Sequence, residues 1–132
     1  EIRDLAAALL LDPRLDYLDM SLWDLAKPAH DEKFQGQSLL DIFAGLPRDG
    51  VALGAAGKLY GAAQCQQALD QGLDFIMVGR AGIVHHDFPQ RAFADPEFVM
   101  ADLPVTREHL RQERLGLPFI DYMATWKGFV AD

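Results

Sequence analysis

Phe75-Ile76-Met77-Val78-Gly79-Arg80 is the stretch on which the reading of this chain turns. Four apolar residues stop at Gly-Arg, a new segment Ala81-Gly82-Ile83-Val84 opens just beyond, and Asp87-Phe88-Pro89 follows. A short apolar run bounded in this way suits a buried strand whose C-terminal end meets an anion. Glycine admits close backbone approach, and arginine supplies a planar charged fork. Upstream, Val51-Ala52-Leu53 reads as a second strand that ends in the glycine-containing loop Gly54-Ala55-Ala56-Gly57. Two such strand ends with a helix between them describe a phosphate site at the top of a parallel sheet.

Working outward, helices and strands alternate. Ile2, Leu5, Ala6, Leu9 and Leu10 recur at helical spacing, and Asp12-Pro13 closes that helix near Leu11. Leu15 to Leu22 alternates as a strand, with Tyr17, Asp19 and Ser21 on one face and Asp16, Leu18, Met20 and Leu22 mainly on the other. Trp23 to Gly36 is a long polar loop, and Leu39, Ile42, Phe43 and Leu46 form the next helical stripe. A small-residue helix spans Gly61 to Gln71, with Gly72 placed to cap it. A short helix begins around Pro89 and is interrupted at Asp95-Pro96. Beyond Pro104, Thr106 caps a charged helix reaching about Leu115, and Pro118 opens another that carries Phe119, Ile120, Met123 and Trp126. No strand is expected in this tail. The division is therefore residues 1–103, a sheet-forming part, and 104–132, a helical extension.

The composition narrows the classes of function. A chain of 132 residues with 50% apolar content has the size and core of one domain. Its 12 basic and 20 acidic residues leave a net charge of −8, which argues against duplex nucleic acid or an anionic membrane as partner. The single cysteine, Cys65, excludes an internal disulfide and any multi-cysteine metal cluster within the chain. No apolar run approaches the ~20 residues of a spanning helix, so a cytoplasmic location is the expectation. Glu1 already lies in a helical pattern, so the chain reads as a piece of a longer polypeptide.

Three short parallel strands leave two unpaired edges and an uncovered face. They better suit a slice of a (β/α)₈ TIM barrel, in which the loops after the last two strands and a short extra helix often hold a phosphate. The residues that carry this layout are Asp16-Tyr17-Leu18-Asp19-Met20-Ser21, Leu53-Gly54-Ala55-Ala56 and Gly72 through Ala81, with Asp87-Phe88-Pro89 after them. Together they resemble the final third of the Old Yellow Enzyme family of FMN-dependent NAD(P)H:flavin oxidoreductases. The ending Phe119-Ile120-Asp121-Tyr122-Met123 through Trp126-Lys127-Gly128-Phe129-Val130 is similar to a tail found in bacterial members.

The resemblance implies strands 6, 7 and 8 of the barrel. It also implies an FMN phosphate held by Gly54, Ala55 and Ala56 with Gly79 and Arg80, and the Arg80 side chain lying against the cofactor. NADH or NADPH would be the reductant and a small electron-poor molecule, such as an activated alkene, the acceptor. The family's proton donor and most contacts to the flavin ring lie on earlier strands, so no catalytic residue is nominated here. Two departures stand out. The family has two adjacent glycines where this chain has Gly54-Ala55, and Asp-Pro where it has His85-His86.

Other residues invite alternatives. His85-His86 suggest a metal, but adjacent side chains diverge and no third ligand is close in sequence, so exposed loop histidines are expected and no metal is assigned. Asp16 and Asp19 are taken as structural, Ser21 and Trp23 as lying near the mouth, and Cys65 as core. Uncovered sheet edges and an apolar inner face favour association with further copies. Two other functions fit the same residues. One is a barrel isomerase or synthase gripping a phosphorylated metabolite, and the other is a non-catalytic domain that binds a protein through its acidic surface and aromatic tail.

Overall fold

The computed structural model describes residues 1–131 as a mixed α/β fold that divides into two compact units. The first comprises Glu1–Leu59 and Gln64–Val78; the second comprises Tyr60–Ala63 and the chain from Gly79 onward. The division at 103/104 expected from the order of helices and strands falls inside the second unit.

In the first unit, α1 (Ile2–Leu9) precedes β1 (Tyr17–Ser21), α2 (Leu39–Ala44) and β2 (Ala52–Ala56), and α3 (Ala62–Asp70), which lies in this unit from Gln64 onward, leads to β3 (Phe75–Met77). The strands form one open parallel sheet in the order β1-β2-β3. Each crossover carries a helix, as parallel pairing requires. Local chemistry sets the ends. Ser38 and Asp41 make a reciprocal capping box at the start of α2. Gly72, at φ +113°, ends the segment after α3 in a conformation that favours glycine. Asp74 joins β2 to β3, its amide donating to the Leu53 carbonyl at 2.8 Å and its Oδ2 accepting from the Leu53 amide at 2.7 Å. Arg48 donates to the same carboxylate oxygen and, at 2.7 Å, to the Gly72 carbonyl.

The register assigns the two faces of the sheet. Tyr17 pairs with Ala52, Asp19 with Gly54 and Ser21 with Ala56, while Gly54 also faces Phe75 and Ala56 faces Met77. These residues share one face because side chains alternate along a strand. That face is open: Tyr17 is 62% and Met77 46% exposed. On the opposite face Leu53 and Ala55 are buried, as are Leu10, Leu40, Ile42, Phe43, Leu46, Cys65, Ala68 and Leu73 elsewhere in the unit. The alternation expected for β1 is thus realised. The α1 stripe is realised only in part, since Ala6 and Leu10 are buried whereas Ile2 and Leu5 are exposed.

One expected feature is corrected in this sheet. Gly54, Ala55 and Ala56 are not a loop after a strand ending at Leu53; they are the second half of β2. Glycine and alanine are weak strand formers, but a central strand is held by partners on both sides, and context overrides propensity.

The second unit packs α4 (Arg80–Val84), α5 (Phe88–Ala94), α6 (Arg107–Gln112) and α7 (Leu117–Ala124) with β4 (Val105–Thr106) and β5 (Val130–Ala131). Its core is Val84, Val105, Leu110, Ile120, Met123 and Phe129. Thr106 caps α6 by accepting from the His109 amide at 3.0 Å, and Pro118 stands in the first turn of α7, both as expected. The tail nevertheless contains strands: β4 and β5 pair in parallel, Val105 with Val130 and Thr106 with Ala131. Two-residue strands carry too little periodicity to be read from sequence.

Candidate functional site

In the first unit, Gly54 sits at the centre of the open face, and the reason for the glycine is local. A Cβ added there would lie 2.5 Å from Phe75 Cδ2 and closer still to Cε2 and Cζ. The Phe75 ring occupies the space a side chain at 54 would fill. It also meets Tyr17 edge-on across the sheet, with centroids 5.7 Å apart. Around this aromatic pair, Asp16, Tyr17, Asp19, Ala52, Phe75 and Met77 line an open groove of about 420 Å³. Asp16 and Asp19, taken as structural from sequence, thus border the same groove.

Beyond the C-terminal ends of β1 and β2 the chain is tightly folded. The Leu22 amide donates to Ala56 O at 2.9 Å, and Leu25 to Gly57 O at 3.3 Å. A Cβ at Gly57 would come within 2.9 Å of the Asp24 and Leu25 amide nitrogens, so glycine is required by the neighbouring backbone. Trp23 and Lys58 both adopt positive φ, at 60° and 52°. Such conformations are uncommon for side chains of this size and often occur near functional sites. Lys58 Nζ pairs with Asp24 Oδ2 at 2.9 Å, and this bond lowers the Asp24 carboxyl below its ordinary value against the opposing effect of burial.

Gly79 and Arg80 belong to the second unit. Gly79 precedes α4 with φ −92° and ψ −86°, and nothing lies within 4 Å of where its Cβ would be. Arg80 opens α4, and its Nη1 donates to the Tyr60 hydroxyl at 3.2 Å. Tyr60 was not singled out by sequence, because it lies 20 positions upstream in no recognisable motif. The expected phosphate residues therefore occur as two groups, Gly54–Ala56 inside β2 and Gly79–Arg80 at the start of α4, one in each unit.

The largest departure from the sequence reading is at His85; His86 beside it is exposed, as expected. His85 is only 6% exposed, so it is not a surface loop residue. Its Nε2 accepts from the Ala101 amide at 2.9 Å, which places the proton of the neutral ring on Nδ1. That Nδ1 is buried without a hydrogen-bond partner and points to Glu113 Oε1 at 3.6 Å, beyond hydrogen-bond range. Burial pushes the His85 ring's pKa down, helped by the Arg91 charge and opposed by Glu113.

Glu113, at the end of α6, is itself buried. Its Oε2 accepts from the His86 amide at 2.9 Å and lies 2.6 Å from His86 Nδ1, while Arg91 Nη2 is 3.7 Å from Oε1. Burial raises this carboxyl's pKa, but the His86 ring and amide hydrogen bonds and the charges of both histidines together bring it below its ordinary value. His109, one helical turn before Glu113, donates Nε2–H to the Val84 carbonyl at 2.8 Å, and its ring meets His85 edge-on at 5.4 Å. One nitrogen each of His85 and His109 and one Glu113 oxygen lie within 4.8 Å of one another, but the His85 Nδ1–H facing that carboxylate does not fit a metal cation. Sequence could not show this group, because Glu113 and His109 reach the histidine pair only through the packing of α6 beside α4.

Comparison with protein families and with curated proteins gives no match to this chain. No helix among the described residues is long and apolar enough to cross a membrane.

Proposed function

We propose that this chain forms strands 6, 7 and 8 of a (β/α)₈ barrel of the Old Yellow Enzyme type, and that its task is to hold the phosphate end of FMN in an NAD(P)H-dependent oxidoreductase. The observation that carries the reading is the sheet of the first unit. Three parallel strands lie side by side in chain order, one face is buried, and the other is open and lined by Tyr17, Asp19, Ser21, Ala52, Gly54, Ala56, Phe75 and Met77. Sequential parallel strands with one buried and one inward face are the repeating unit of such a barrel, whose interior is filled by layers of side chains from neighbouring strands. Further strands would pair with the outer edges of β1 and β3.

The proposed phosphate residues are Gly54, Ala55 and Ala56 with Gly79 and Arg80. Gly79 has room for close approach where its Cβ would be, and Tyr60 orients the Arg80 guanidinium. Charge-assisted bonds from a fixed guanidinium suit a phosphate dianion better than a mobile ammonium would. When bound, FMN supplies two-electron transfer from NADH or NADPH to an electron-poor acceptor; the protein supplies binding and orientation.

The test compares FMN with riboflavin, which lacks the phosphate, in the protein as its cells make it. We expect FMN to bind more tightly than riboflavin, and Arg80→Ala to reduce FMN affinity by at least ~10-fold, the equivalent of one charge-assisted contact, with riboflavin affinity unchanged. Equal affinities for the two flavins, or an Arg80→Ala protein that keeps the FMN preference, would refute the assignment.

A further inference from the structure

We infer that His85 is a pH-operated latch: its neutral ring holds the segment Phe98–Ala101 against the turn after α4, and protonation of the ring releases that segment. The latch follows from which atoms donate. His85 Nε2 accepts from the Ala101 amide at 2.9 Å, so the neutral ring carries its proton on Nδ1. A second proton can enter only at Nε2. There it sets one N–H against another across the same 2.9 Å, and the bond to Ala101 is lost.

The charged ring has an alternative partner. Its Nδ1–H, buried without a hydrogen bond, faces Glu113 Oε1 at 3.6 Å. A small rotation of a charged imidazole would close that gap to a charge-assisted hydrogen bond. The neutral ring is satisfied at Ala101 and short of Glu113; the charged ring reverses this. Two such arrangements of one side chain are what a histidine switch requires.

The neighbouring histidines do not respond in this way. His86 Nδ1 lies 2.6 Å from Glu113 Oε2, and His109 Nε2 donates to the Val84 carbonyl at 2.8 Å. Each of these nitrogens donates whether its ring is neutral or charged, so protonation leaves both bonds intact. With the His86 amide bond to Glu113 they keep the turn on α6, and the side that yields is the Ala101 segment. That segment reaches further. The Met100 amide donates to the Tyr60 carbonyl and the Ala62 amide to the Phe98 carbonyl, both at 2.8 Å, and the Tyr60 hydroxyl accepts from Arg80. The latch therefore bears on the partner of Arg80. None of this depends on the flavin proposal.

Electrostatics sets the direction. The charged and titratable groups facing His85 are Arg91 of α5, itself paired with Asp87, then Glu113 and His109 of α6, and His86 beside it. Phe98 and Ala101 present a ring and an amide, which do not titrate. Burial, then the Arg91 charge, hold the His85 ring below its ordinary 6.5; Glu113 opposes them and His109 adds to them. Burial pushes Glu113 up, but its hydrogen bonds from His86 and the charges of both histidines bring it below its ordinary 4.5, so it remains a carboxylate as pH falls through 6.5. A ring whose pKa is depressed in the closed state stabilises that state fully above 6.5, and progressively less as pH falls from there to the closed-state value. Each pH unit in that window lowers the ratio of closed to open latch about tenfold.

The test is hydrogen–deuterium exchange of the full-length protein, resolved at single amides, from about pH 7.5 to about pH 5. We expect the protection factor of the Ala101 amide to be level above pH 6.5 and to fall ~10-fold per unit below it. The Met100 and Ala62 amides should follow, while Ile120 in the core of the same unit stays protected. His85→Gln keeps an acceptor for Ala101 and has no proton to take up, so its Ala101 protection should not depend on pH. Protection of Ala101 in the parent that is constant down to about pH 5 would overturn the inference. So would a fall shared equally by Ile120, which is global unfolding, or a fall of the same slope in folded His85→Gln.

Discussion

Replacing Gly54 by alanine tests whether the open face of the sheet is organised around the Phe75 ring. The added Cβ would stand 2.5 Å from Phe75 Cδ2 and closer to two further ring carbons. Carbon atoms settle at about 3.5–4.0 Å, so the ring must retreat by more than ~1 Å or rotate away. Rotation sacrifices the edge contact with Tyr17, worth about 0.5–1.5 kcal/mol beyond burial. Retaining it incurs overpacking strain of about 1–3 kcal/mol. The retained contact predicts that Gly54→Ala destabilises the fold by about 2 kcal/mol, the middle of that range and a urea midpoint lower by about 1 M for an m-value near 2 kcal/mol/M. The rotated ring predicts about 1 kcal/mol before its lost burial is added. In a Phe75→Ala background the conflict is gone. Gly54 does not have a positive φ, so alanine there should instead stabilise by about 0.4–1 kcal/mol through the unfolded chain. The double-mutant cycle thus predicts a coupling of roughly 2–3 kcal/mol between positions 54 and 75. Urea unfolding of the four proteins measures it, and additive effects within ~0.5 kcal/mol would refute the reasoning.

Two further predictions concern the elements that fix the sheet. Asp74→Ala removes the acceptor of the buried Leu53 amide and a partner of Arg48, and should cost about 1–3 kcal/mol; Asp74→Asn, which keeps an acceptor oxygen, should lose less in the same urea assay. Ser38→Ala removes the α2 cap and should cost about 1 kcal/mol near neutral pH. The Ser38 hydroxyl, then the Ser38 amide, hold the Asp41 carboxyl below its ordinary 3.8, against the effect of burial. A carboxyl depressed on folding stabilises fully above its unfolded value and loses that contribution as pH falls through its folded value. The gap between Ser38→Ala and the parent should therefore narrow as pH drops below 3.8, and a gap independent of pH would show that the carboxylate takes no part in the cap.

Local rules made much of the architecture legible. Alternation in Tyr17–Ser21, the glycine at 72, Thr106 before a charged helix and Pro118 in a first turn each act within a few residues, and each appears where expected. Where the physics is long-range the reading failed. Gly54-Ala55-Ala56 becomes strand because β1 and β3 flank it, and its glycine answers to a ring 21 positions later. His85 is buried because Phe98, His109 and Glu113 close around it, none of which is near in sequence. Arg80 gains Tyr60 by the same route. β4 and β5 exist only through each other.

The most direct test of the flavin reading is the intact mass and visible absorption spectrum of the protein purified from the cells that make it. The account predicts a polypeptide well above the 14.7 kDa of this sequence, yellow, with FMN released on denaturation. A colourless protein carrying no flavin, whatever its mass, would contradict it.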